Sequence, residues 1–122
     1  MALIFVGFAG AIHLYIFLME SFLWGRQRIN KVFGVSPAQA EQNRLFAFNQ
    51  GFYNLFLAIA AFLGVVLVLK DQSTVGSTLM IYSSASMLGA AVVLFFSERK
   101  LIRAALIQGL PPALGLIFLA LR

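Results

Sequence analysis

The sequence predicts an all-α integral membrane protein, a four-helix bundle, and three observations carry that expectation. Of its 122 residues 61% are hydrophobic and only 11% are charged, far too apolar for a soluble domain of this length. Four runs, 2–24, 45–69, 77–96 and 104–121, each come close to the roughly 20 residues a helix needs to cross a bilayer. All four are continuously apolar, whereas strands of a membrane barrel are about ten residues long and alternate apolar with polar. One domain, 1–122, is expected, with a loop at 25–44 as its only sizeable extramembrane segment.

No basic residue precedes the first run, and it continues past the usual 7 to 15 or so apolar residues of a secretory signal without a small-x-small cleavage site, so a retained helix is expected. Apart from Tyr15, His13 and Glu20 are its only ionisable side chains. A carboxyl in hydrocarbon costs roughly 2.5 to 3.5 kcal/mol unless it faces a protein interior or a wet cavity, which marks Glu20 as a functional candidate. In the loop, Ser36 as N-cap and Pro37 at the first helical position predict a short interfacial helix leading into the second run, with Phe33 and Val35 as anchors. The second run opens with Asn43 and continues through Asn49, Gln50, Gly51, Tyr53 and Asn54, a dense polar stretch for a spanning helix. The short polar turn 70–76 predicts antiparallel packing of the second and third helices. The third carries Tyr82, Ser83, Ser84 and Ser86; the fourth carries Pro111 and Pro112, which free carbonyls near Ile107 and Gln108 and predict a kink turned inward or against a partner.

Nine Lys and Arg against four Asp and Glu give a net charge of +5. Seven of the nine flank two loops: Arg26, Arg28, Lys31 and Arg44 in one, and Arg99, Lys100 and Arg103 in the other. By the positive-inside rule both termini are then expected outside the cytoplasm, and the basic flanks to meet membrane lipids rather than nucleic acid. The absence of cysteine excludes disulfides, thiol redox chemistry and thiolate metal sites. One histidine and one buried carboxyl cannot assemble a three-ligand metal site within a protomer, and no phosphate-cradling loop or nucleophile elbow is present. No metal or cofactor is implied.

On a helix, His13, Phe17, Glu20 and Trp24 share one stripe, with Glu20 about 10 Å nearer the basic surface than His13. The second helix returns from that surface, bringing Asn49 and Gln50 to the depth of Glu20 and Asn54 towards that of His13; Gln108 of the fourth reaches the Glu20 level. A polar pocket in the cytoplasmic half is expected, with Glu20, Asn49, Gln50 and Gln108 towards its mouth, His13, Tyr53 and Asn54 deeper, and Trp24 beside it. Each residue also has a plain reading: amides as interhelical glue worth about 0.6 to 2 kcal/mol, His13 as a packed core residue, Glu20 reaching the headgroups, Trp24 as an interface anchor.

The spaced pattern His13 to Glu20, Trp24, Phe33-Gly34, Asn49-Gln50-Gly51-Phe52-Tyr53-Asn54 and Gln108-Gly109-Leu110-Pro111 resembles a bacterial family of small four-helix membrane proteins, numbered thirteen hundred and four among the domains of unknown function. The likeness covers essentially the whole chain, and the Asn49 to Asn54 string is its most specific part. It implies a multi-pass protein of the bacterial cytoplasmic membrane and interest in the matching positions, and it carries no activity.

Three functions fit the residues. The first is a pocket for a small amphipathic or lipid-like molecule, with Glu20 and His13 as an acid–base pair acting through substrate or water. The second is a proton-coupled exporter working as a homodimer, with Glu20 as proton carrier and Gly109, Ala113 and Gly115 as its contact surface. The third is an accessory subunit whose polar layer only specifies packing.

Overall fold

The computed structural model describes residues 1–122, all of them in helices, turns and short connections, with no strand. α1 (Ala2–Ser21), α4 (Arg44–Leu69), α5 (Ser73–Ser97) and α6 (Ile102–Ala120) are the long helices. All four are long and apolar enough to cross a membrane, α6 together with the 3-10 turn Arg99–Leu101 that leads into it. Two short helices, α2 (Gln27–Phe33) and α3 (Pro37–Gln42), lie between α1 and α4.

The long helices form a closed ring in which α1 packs on α4 and α6, and α5 packs on α4 and α6. The α1–α4 connection and the α5–α6 turn therefore lie at one end of the bundle, here named the loop side. Small residues set the interhelical distances, as expected where helices associate by close packing in lipid. A Cβ at Gly64 of α4 would come within 2.9 Å of the Gly76 carbonyl oxygen and 3.0 Å of the Met80 nitrogen, so the backbones of α4 and α5 touch away from the loop side. Gly109 lies against Ala91 of α5 and Gly115 against Val6 of α1, so two of the small residues expected to offer a dimer surface serve internal packing. The apolar core, built on Val6, Ala9, Ala61, Met80 and Met87, fills the middle and the half away from the loops. Large apolar side chains cover the outside, among them Phe46, Phe56, Leu69 and Phe96, as a hydrocarbon solvent requires.

Several boundaries differ from the sequence expectation. α1 ends at Ser21 rather than Trp24, because the Phe22 and Leu23 amides both fold back on the Leu18 carbonyl and Gly25 then takes a positive φ of 93°. α2 was not expected. Its sequence is polar and too short for a periodic signal, and Gly34 in the left-handed region (φ 65°) ends it. α3 begins as Ser36-Pro37 predicts, with a reciprocal capping box between Ser36 and Gln39. α5 starts at Ser73, four residues before the apolar run, because the α4–α5 turn needs only Lys70, Asp71 and Gln72, with Asp71 at φ 63°. α6 starts at Ile102 and continues through Pro111 and Pro112, both buried, as the inward placement of that stretch anticipates.

The α4–α5 contact yields a direct prediction. Gly64→Val should destabilise the bundle by about 1 to 3 kcal/mol through overpacking against backbone. Gly89→Ala on α5, where an added Cβ meets nothing within 4 Å, should be neutral or stabilise by up to about 1 kcal/mol. Helicity followed through SDS-driven unfolding separates the two variants.

Candidate functional site

α4 presents a stripe of Ala47, Gly51, Asn54, Ala58 and Ala61, alternating four and three residues apart, and every member except the half-buried Asn54 is buried. The small side chains let α1 approach closely. A Cβ at Gly51 would overlap Ser21 Oγ and come within 3.1 Å of the Phe17 carbonyl oxygen. Ser21 Oγ donates to the Phe48 carbonyl oxygen at 2.9 Å, fixing the end of α1 on the first turns of α4.

This close approach brings Asn54 to Glu20. Glu20 is buried, and its Oε1 accepts from Asn54 Nδ2 at 2.6 Å; the same amide nitrogen also reaches the Gln50 carbonyl oxygen at 3.3 Å. Hydrogen bonds to ionised groups contribute about 1.5 to 3 kcal/mol, and one between neutral partners about half that. No cation of the chain reaches Glu20, because the one ion pair is Arg44 with Glu41 at 3.0 Å, and Glu20 Oε2 accepts no hydrogen bond.

Over this carboxyl the loop folds back as a roof. Trp24 Nε1 donates to the Ala40 carbonyl oxygen at 2.7 Å, its ring meets Phe33 edge-on at 5.1 Å, and Arg44 Nη1 donates to the Trp24 carbonyl oxygen at 3.2 Å. Lys100 Nζ donates to the Gly34 carbonyl oxygen at 2.9 Å, tying the C-terminal end of α2 to the α5–α6 turn across the bundle. Beneath the roof lies a cleft of about 470 Å³. Glu20, Ser21 and Trp24 line one side, Leu45 and Phe48 supply apolar wall, and Glu41, Gln42 and Arg44 form a polar rim. A second recess, about 410 Å³, lies beside α2 at Gly25, Asn30 and Lys31.

The sequence-predicted residues separate into two groups. Glu20, Trp24 and Asn54 converge on the cleft or its support, and Gln50 contributes through its backbone carbonyl. His13 is 1% exposed and outside the cleft; Nδ1 donates to the Ala9 carbonyl oxygen of its own helix at 2.9 Å, and Nε2 makes no hydrogen bond. Asn49 and Tyr53 are turned outward, on the exposed stripe that also holds Phe46 and Phe56: Tyr53 is 68% exposed, and Asn49 Nδ2 bonds the Leu45 carbonyl oxygen. Gln108 is half-buried and its side chain makes no hydrogen bond. On α5, Ser83 and Ser84 are fully buried, whereas Tyr82 is 71% exposed.

Counting depth along the axes sets Asn49 and Gln50 level with Glu20 and Asn54 nearer His13, whereas it is Asn54 that meets Glu20; each residue also advances about 100° around the helix, and that rotation carries Asn49 and Tyr53 to the outer face. Sequence reasoning missed Ser21, Gln42, Leu45 and Phe48 as cleft residues, and Glu41 and Arg44 as a rim pair. A signal for the last was available in the three-residue spacing of an acidic and a basic side chain.

The family model described as Protein of unknown function (DUF1304) matches residues 7–120. The chain belongs to that family. The match takes in both sides of the cleft, from Glu20 to Phe48, together with Asn54. No curated protein and no solved structure matches the chain.

The Glu20–Asn54 contact is expected to show as coupling. In a double-mutant cycle of Glu20→Leu and Asn54→Leu, the pair should be coupled by about 1 to 2 kcal/mol. Asn54→Leu alone should destabilise more than the double variant, because it leaves a buried carboxyl without a donor. Unfolding in SDS read by circular dichroism measures each corner of the cycle.

Proposed function

We propose that this protein is a multi-pass protein of the bacterial cytoplasmic membrane that binds a small amphipathic molecule in the cleft beside Glu20. The loop side is the cytoplasmic face and both termini lie opposite. Orientation rests on charge, since seven of nine Lys and Arg flank the two loops on that side. One observation carries the binding reading: a buried carboxyl with one oxygen held by Asn54 and the other without a partner, on the wall of a cleft that is polar at its rim and apolar at Leu45 and Phe48. The free oxygen is open to the cleft, where a ligand with a polar head and an apolar body supplies a donor.

Glu20 is positioned to accept a proton or a hydrogen bond from that head. His13 lies roughly 10 Å further along α1 and is packed in the core, so any acid–base step in the cleft runs through Glu20 alone. Binding is preferred over export because Gly109 and Gly115 are occupied by α5 and α1.

Native mass spectrometry with ligand release, on protein extracted gently from its own membrane, tests the proposal. Wild type should retain a specific amphipathic molecule and Glu20→Gln should lose most of it. An empty wild-type protein, or equal retention by the variant, would overturn the reading.

A further inference from the structure

The charges and rings around the cleft go further and indicate the kind of head it takes. Two acidic side chains, Glu20 and Glu41, line the cleft with one guanidinium, Arg44. That guanidinium is turned to Glu41. Arg44 Nε donates to Glu41 Oε2 at 3.0 Å, Nη2 lies 3.0 Å from the same oxygen, and Nη1 donates to the Trp24 carbonyl oxygen, so Glu20 is the carboxyl without a cation beside it. Trp24 has its N–H committed to Ala40, so the ring is what it offers a ligand, and Phe48 contributes a second. A carboxyl beside aromatic rings is a lining that suits a small organic cation.

An apolar track leads away from the cleft. Phe48 packs on Phe52 at 5.1 Å and Phe52 on Phe56 at 6.4 Å, while Phe22 of α1 meets Phe48 edge-on at 6.4 Å. From Phe48 to Phe56 the ladder covers about 12 Å of helix rise, and Phe22, Phe48 and Phe56 are all exposed on the outside of the α1–α4 seam.

Resting on the binding reading above, we infer that the cleft takes a single-chain amphiphile with a primary ammonium head: the head sits on Glu20 between Trp24 and Phe48, and the alkyl chain lies along the phenylalanine ladder. An ethanolamine phospholipid shares the ammonium but brings a phosphate, and the one cation of the lining, Arg44, is paired with Glu41. The free amine is therefore the source.

The chain contains a single tryptophan, and it lines the cleft, so Trp24 emission reports occupancy directly. The protein in phosphatidylcholine nanodiscs would be titrated with dodecylamine and, separately, with dodecanol. Dodecylamine should saturate the emission change at a concentration at least about tenfold lower than dodecanol does. Glu20→Gln should remove that preference while leaving the dodecanol response in place. Equal responses of the wild type to both amphiphiles would overturn the ammonium assignment and leave the amphiphile pocket standing; no saturable response to either would overturn the pocket itself. Nanodiscs containing phosphatidylethanolamine serve as a third arm, and loss of the dodecylamine response there through competition would overturn the assignment to a free amine. The comparison of amine with alcohol is made on the wild type, so it holds whether or not the variant folds.

Discussion

A buried carboxyl in the last turn of a long apolar helix has to be given a partner, and the loop-side half of this bundle is arranged around that requirement. Glu20 receives its one donor from Asn54 at 2.6 Å, and the bond exists only because Gly51 lets α4 come close enough to α1 for the two side chains to meet. Ser21 and the Phe48 carbonyl hold the same contact from the outer side. Without that approach Glu20 would lose its one donor within the chain. Stability and the candidate function thus depend on the same few ångströms of interhelical distance.

The rest of the molecule divides the labour. The half away from the loops is dry and tightly set by backbone contacts at Gly64 and Gly76, with Met80 and Met87 filling the interior. The loop-side half carries the polar groups and is roofed by short helices held by a few hydrogen bonds, Trp24 to Ala40, Arg44 to Trp24 and Lys100 to Gly34 among them.

The sequence made the spanning helices legible because length and unbroken apolarity are properties of composition, which tertiary packing does not alter. Their ends were less so, since Leu23 turning back on Leu18 and the αL geometry of Gly34 depend on local backbone closure rather than on hydropathy. Within the site, Glu20 stands out by its charge in an apolar run, whereas depth counting sets Asn54 nearer His13 than the Glu20 it bonds. Asn49, Tyr53 and the isolated His13 could not be sorted by depth either, because depth along a helix axis does not state which face a side chain occupies. The stripe of small residues at Ala47, Gly51, Ala58 and Ala61 does state it, and read together with Asn54 it identifies the inner face of α4.

The most direct test is the Glu20–Asn54 contact in a bilayer. Solid-state NMR on protein in lipid, with ¹³C at glutamate carboxyls and ¹⁵N at asparagine side-chain amides, measures their dipolar coupling. One of the three glutamates has an asparagine amide in hydrogen-bonding reach, so one carboxyl signal should dephase strongly, and that dephasing should vanish in Asn54→Leu. Absence of dephasing in the wild type would mean that α4 does not present Asn54 to Glu20, and the account of both packing and cleft would fail.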